Sequence, residues 1–188
     1  VKLFEFKSDD FDKLYNHIYN FSWHKIIDRN QSFMIKIKGY SNHFNNRNYV
    51  TLKIKDAIVD KIKKIRLSRP SINKINPDII ISVFISDSKF IIYIDSSGTS
   101  LHKRGYRTKI HKASLNEALA SGLIMLSNWN RSDPFYDPMC GSGTIPIEAA
   151  MIAYNIAPGL LREHFAFQKW SNYNDNLLSD IKNEAQKK

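Results

Sequence analysis

The stretch DPFYDPMCGSGT, residues 133–144, runs directly into IPIEAAMIAYNIAPG, residues 145–159. Phe135 and Tyr136 suit the end of a strand, Gly141 and Gly143 suit a tight turn, and a helix is expected from near Thr144 through Ile147, Ala150, Met151 and Tyr154, stopping before Pro158-Gly159. Strand, glycine turn and helix in that order let a backbone approach a ligand closely and point unpaired helix N–H groups at its negative end. A nucleoside-triphosphate loop would need a lysine after its glycines, and Gly143-Thr144-Ile145 has none. A dinucleotide turn would need a third glycine where Pro146 stands. A catalytic thiol at Cys140 lacks a motif-placed histidine, so the lone cysteine reads as a small packing residue.

Upstream of this turn, Ser114 to Leu126 has helical spacing, with Leu115, Leu119, Leu123 and Leu126 periodic and Ser114 with Glu117 in capping-box register. Residues 1 to 100 have a different character. Asp9 to Asn20 is an amphipathic helix with Ser8 and Asp9 as caps, and Phe33 to Tyr40 alternates as a half-buried strand. Asn48 to Leu67 returns to helical spacing: Ile54, Ile58, Ile62 and Ile65 form one stripe, with Lys53, Lys55, Lys61, Lys63, Lys64 and Arg66 beside or opposite it. Asn76-Pro77-Asp78 turns the chain into two β-branched runs, Asp78 to Ile85 and Phe90 to Asp95, joined as a hairpin at Ser86-Asp87-Ser88. The expectation is an α+β domain over residues 1–100, a connecting segment over 101–130 with a basic turn and a helix, and an α/β segment over 131–188.

Composition narrows the partners. The 188 residues carry 28 Lys and Arg against 18 Asp and Glu, a formal net charge of +10, which favours a polyanion, although a Lys-rich composition also follows from nucleotide bias. No apolar run approaches the ~20 residues of a membrane span, one cysteine excludes a disulfide framework, and the six histidines have no metal-ligand spacing, so no metal is expected. The chain reads as reduced and cytosolic, without a membrane partner. The turn HKRGYR, with His102, Lys103, Arg104, Tyr106 and Arg107, combines cations with an aromatic able to stack on a base, while Arg104 and Arg107 also suit a structural hinge. Lys61 and Lys64, with Lys63 and Arg66, are phosphate-contact candidates.

DPMCGSGT at 137–144 resembles the S-adenosylmethionine turn of Rossmann-like amino-methyltransferases. With IEAAMIAYNIAPG after it, SLHKRGYR at 100–107, ASLNEALASGLIMLSNW at 113–129 and YVTLKIKDAIVDKIKKIRLSRP at 49–70, the chain resembles the THUMP-domain RNA methyltransferases that modify guanine N2, in particular the bacterial large-subunit ribosomal RNA enzymes. The resemblance implies a THUMP domain that docks RNA, followed by the start of a Rossmann-like methyltransferase domain. Carried over residue by residue, Asp137 and Pro138 would end the first methyltransferase strand, the backbone of Cys140, Gly141, Ser142 and Gly143 would cradle the methionine end of S-adenosylmethionine, and Thr144 would cap the helix. Large-subunit ribosomal RNA is the implied partner.

The same resemblance implies an Asn-Pro-Pro-Tyr motif and an acidic ribose-binding residue, and neither is present; Asn76-Pro77 lacks the second proline and the aromatic. The chain therefore reads as an internal fragment with no catalytic residue of its own, inactive alone. The competing function is a stand-alone RNA-binding module. DNA adenine methylation is compatible with the DPMCGSGT turn, and the THUMP-like half argues against it.

Overall fold

The computed structural model describes residues 1–107 and 114–187; residues 108–113, inside the connecting segment 101–130, lie outside it. The chain divides into two compact units, one of residues 1–98 with 166–173 and one of residues 99–165 with 174–188. Residues 166–173, expected in the methyltransferase segment, pack in the first unit instead.

The first unit is a five-stranded sheet with two helices against one face. Its elements are β1 (Lys2–Lys7), α1 (Phe11–Asn20), β2 (Ser32–Tyr40), α2 (Arg47–Arg66), β3 (Ser71–Ile72), β4 (Ile79–Ser86) and β5 (Lys89–Ile94), in the sheet order β1-β5-β4-β2-β3. β4 lies parallel to β2 from Phe33↔Ile79 to Tyr40↔Ser86, the crossover between them being α2, and it pairs antiparallel with β5. The expected hairpin forms with Asp87 and Ser88 as its two-residue turn, Asp87 at a φ of 52°. β1 completes the sheet against β5 and is not legible in the sequence: KLFEFK is short and charged, and only its pairing shows that Phe4 and Phe6 face the core.

The core gathers Leu14 and Ile18 of α1, Ile54, Ile58 and Ile62 of α2, and Phe33, Ile81, Val83, Phe90 and Ile92 of the sheet. Trp23 is fully buried between them and donates its indole N–H to the carbonyl of Ile18 at 2.6 Å, which satisfies the one polar atom that burial would otherwise leave unpaired. Ile65, expected in the α2 stripe, is 46% exposed, because the helix ends at Arg66 and Leu67 turns into the left-handed region past the sheet edge. Asp10, rather than Ser8 or Asp9, caps α1, its carboxylate accepting from the amides of Asp12 and Lys13. Arg66 donates to the carbonyls of Ile27 and His24 and so ties the end of α2 to the turn at residues 23–25; it is not free for phosphate.

Asp78 joins three pieces of this unit. It accepts from the amide and hydroxyl of Ser32 at 2.8 and 2.7 Å, and from the ammonium of Lys169 at 2.8 Å, which brings the returning segment 166–173 onto the start of β4. Trp170 packs against the core beside it. Burial alone would raise the Asp78 pKa, but Lys169 and Ser32 outweigh it and hold the group near 2. A depressed carboxylate stabilises the fold above its unfolded pKa and loses that contribution as pH falls from about 4 through about 2. Asp78→Asn is therefore expected to lower the urea midpoint at pH 7 and to flatten the decline of the midpoint across that acid window; an unchanged pH profile would show that Asp78 is not linked to folding.

Candidate cofactor turn

The second unit contains α3 (Glu117–Leu126), α4 (Thr144–Ala153) and α5 (Asp175–Gln186), and no strand among its described residues. Phe135 and Tyr136, expected to end a strand, are irregular, since a strand exists only where a neighbour pairs with it. The turn that follows is ordered by its own groups. The Asp137 carboxylate accepts from the Met139 amide at 3.1 Å, and the Gly143 amide donates to the Cys140 carbonyl at 2.8 Å. Gly141 and Gly143 both take positive φ, 52° and 74°, which L-residues adopt at a cost, and a Cβ on Gly141 would meet only the Met139 carbonyl, at 4.0 Å. Pro138, Met139, Cys140, Gly141 and Ser142 are exposed, so this backbone is accessible; Cys140 is not a packing residue.

Gly143, not Thr144, is the N-cap of α4. Thr144 is its first residue, with the side chain buried and its hydroxyl near that of Ser142 at 3.2 Å. Pro146 sits in the first turn, where its missing N–H costs no intrahelical bond. The amides of Thr144 and Ile145 are thus the helix-end donors aimed across the glycine turn, carrying the positive end of the helix dipole.

What holds this turn in place is the segment expected to touch RNA. Arg107 donates to the carbonyl of Leu115 at 2.6 Å and to the hydroxyl of Thr144, and lies 3.5 Å from the carboxylate of Glu117. Tyr106 donates its hydroxyl to Glu148 at 3.0 Å, and Arg104 approaches the same carboxylate oxygen at 3.4 Å. Burial, and then the Glu148 charge, push the Tyr106 pKa well up, so this phenol is a donor at any ordinary pH. The polar groups of Arg104, Tyr106 and Arg107 are therefore engaged inside the unit; His102 is half-buried and Lys103 exposed. Arg162 adds a further tie, donating to the carbonyls of Thr99, Ser100 and Lys103.

Glu117 enters the sequence reading only as a capping-box residue, Glu148 only as a letter of IEAAMIAYNIAPG, and Arg162 not at all. The two carboxylates carry a signal nonetheless: each is the lone charge in an otherwise apolar helix, EALASGLIML and TIPIEAAMIA, and a charge so placed is buried only with a partner. The helix α3 is capped by Asn116, not Ser114, and its buried residues are Glu117, Ala120, Ser121 and Ile124. Its leucines at 119, 123 and 126 face outward, because Arg107 fixes the rotation of the helix through Glu117 and small residues line the buried side. In the first unit, Lys61 stands over the ring of Tyr19 at 5.1 Å and Lys64 is exposed. Among the described residues no cluster of His, Cys, Asp and Glu could hold a metal, and no helix is long and apolar enough to cross a membrane.

Two family models match, the THUMP domain over residues 8–95 and the RMKL-like methyltransferase domain over residues 104–188. The chain joins a THUMP domain to an RMKL-like methyltransferase segment. The ribosomal RNA large subunit methyltransferase K/L of Psychromonas ingrahamii is 44% identical over 99% of the chain. The chain spans about a quarter of the length of the curated relatives it matches. Among solved structures, that of a predicted N6-adenine-specific DNA methylase from Listeria monocytogenes superposes with a TM-score of 0.88 at 32% identity, and that of SMU.472 complexed with SAH with 0.86 at 34%; each alignment covers 99% of this chain and 49% of the other. The THUMP domain and the methyltransferase segment therefore correspond to the two units, apart from residues 166–173, which belong by packing to the THUMP unit.

Removing the guanidinium of Arg107 leaves Glu117 buried without its cation, a change of about 3 kcal/mol in such settings. Arg107→Ala is expected to speed amide hydrogen exchange in α3 and α4 while leaving β2 and β4 protected as before. Equal exchange in both forms would mean that the ion pair does not hold the methyltransferase segment.

Proposed function

We propose that this chain belongs to an S-adenosylmethionine-dependent methyltransferase acting on guanine N2 of large-subunit ribosomal RNA. The THUMP domain supplies RNA docking and the glycine turn supplies part of the cofactor pocket. The observation that carries the cofactor assignment is the accessible Cys140-Gly141-Ser142-Gly143 backbone leading onto the amides of Thr144 and Ile145, locked by Arg107. This matches the needs of an amino acid carboxylate, which is stabilised by oriented N–H groups at a helix start. When bound, the cofactor supplies a methyl group on a sulfonium centre. Asp137 and Pro138 set the path of the chain into the turn, and Asp137 presents a partly exposed carboxylate beside it. SMU.472, solved with SAH, supports the same cofactor here.

RNA docking falls to Lys61, Lys64, His102 and Lys103, which remain on the surface of their units, while Arg104, Tyr106 and Arg107 act by positioning. The K/L relatives favour ribosomal RNA over DNA, as does the THUMP domain; the similar Listeria protein, a predicted N6-adenine-specific DNA methylase, makes adenine in DNA the alternative target. Transfer to an exocyclic amine also requires acceptors that hold the amine in line with the methyl. The sequence contains no Asn-Pro-Pro-Tyr to do this, so these 188 residues alone transfer no methyl group.

Calorimetry of S-adenosylmethionine into the chain is expected to show binding that Asp137→Ala weakens and Gly143→Val abolishes, with the melting of the THUMP unit unchanged. No heat with a folded chain would overturn the cofactor assignment. Incubation with methyl-labelled cofactor and ribosomal RNA is expected to leave the RNA unlabelled; incorporated label would show that the catalytic groups are within this chain. RNA affinity should fall steeply with salt as phosphate contacts release counterions, and a flat response would remove the basic surface as the docking face.

A further inference from the structure

The THUMP sheet has one face under α1 and α2. On its other face the register sets side chains of β2, β4 and β5 in cross-strand rows: Lys36 beside Ser82 beside Tyr93, and Lys38 beside Phe84 beside Ile91. Strand alternation turns these residues away from the buried Ile81, Val83, Phe90 and Ile92. Phe84 is 44% exposed, an unusual place for a phenylalanine, and Lys36 and Lys38 are exposed as well. Between the rows lies a depression of about 340 Å³ lined by Lys38, Ser82, Phe84, Ile91 and Tyr93.

The charge on this face is one-sided. At the far edge Lys2 and Lys89 share the single carboxylate of Glu5, each at 3.0 Å. Among the described residues neither Lys36 nor Lys38 is in an ion pair, so each row ends on an uncompensated cation. Tyr93 is the diagonal neighbour of Phe84, and such positions stand about 7–8 Å apart, a step that two unstacked bases of one strand can span.

We infer that this sheet face binds a single-stranded segment of RNA, with bases stacked on Phe84 and Tyr93 and phosphates met by Lys36 and Lys38. Aromatic side chains on an open sheet, flanked by unpaired cations, are the arrangement that takes splayed bases; a paired duplex offers no free base faces to such a platform. The Ser82 hydroxyl, between the aromatics and Lys36, adds a hydrogen-bonding group for a base edge or ribose. The inference rests on the RNA reading above and places a second RNA contact on a face distinct from the Lys61 and Lys64 side of α2.

The test is fluorescence anisotropy of the 188-residue chain with a labelled oligouridine strand and, separately, a blunt paired RNA. Replacing both rings, Phe84→Ala with Tyr93→Ala, is expected to weaken oligouridine binding about tenfold or more, because each lost ring removes a stacked base, and to leave duplex binding within about twofold. Phe84→Leu, which keeps an apolar residue but no ring, should weaken oligouridine binding without lowering the melting temperature, which separates stacking from folding. Lys36→Gln with Lys38→Gln should reduce the salt slope for oligouridine by about two contacts. Oligouridine bound equally well by wild type and the double ring variant would overturn the sheet-face site while leaving RNA docking intact. No binding of either RNA would overturn both. A chain that self-associates through this face, with association lost in the ring variant and RNA affinity unchanged, would make it an interface between copies and would also overturn the inference.

Discussion

Two buried carboxylates, Glu117 and Glu148, anchor everything the second unit does. A carboxylate out of water must be met by a cation and by donors, and the chain delivers both from one six-residue stretch: Arg107 to Glu117, Arg104 and Tyr106 to Glu148. Because Arg107 also reaches the Leu115 carbonyl and the Thr144 hydroxyl, the start of α3 and the start of α4 share one guanidinium. The glycine turn is thereby held against α4 with its backbone outward. Basic residues that look like a nucleic-acid contact in sequence are thus what gives the glycine turn its shape. A ligand site built on a loop gains definition when its supports are locked in this way.

The THUMP unit depends on a different constraint, the parallel pairing of β2 with β4. Parallel neighbours require a long crossover, and α2 supplies it while burying Val50, Ile54, Ala57, Ile58 and Ile62 against the sheet. The hairpin then adds β5, and β5 in turn accepts β1. Chain order and packing part company after residue 165, where the chain returns to the THUMP unit for eight residues, closing on Asp78 through Lys169 and on the core through Trp170 before α5 begins. With α1 and α2 on one face, the opposite face of this sheet keeps its aromatic and lysine rows in the open.

Legibility in the sequence follows how local the cause is. Helix α2, strand β2 and the hairpin can be read because their periodicity is strong and their caps and turns are encoded within a few residues. The glycine turn is legible for the same reason: positive φ at two nearby positions demands glycine whatever surrounds it. The caps of α1 and α3 fall one or two residues from where the sequence pattern puts them, since several neighbouring side chains could each accept the same amides, and α4 starts from Gly143, whose left-handed backbone and not a side chain ends the turn. The leucine stripe of α3 points the wrong way because periodicity identifies an apolar face without saying whether that face or a charged neighbour decides the rotation.

The sequence by itself determined α1, α2, β2, the hairpin, the glycine turn with the helix after it and the kinship with THUMP-bearing methyltransferases, all of which rest on local pattern or on motifs in fixed order, whereas β1, β3 and α5 came only with the fold. Only the tertiary structure decided the partners of the cations: Arg104, Arg107 and Arg66 are spent inside their units, Lys61 is drawn over a ring, and Lys36 and Lys38 stay unpaired beside two aromatics. A charge is legible in sequence, but whether it faces water, a buried carboxylate or a ligand depends on residues tens of positions away, and only packing brings those together.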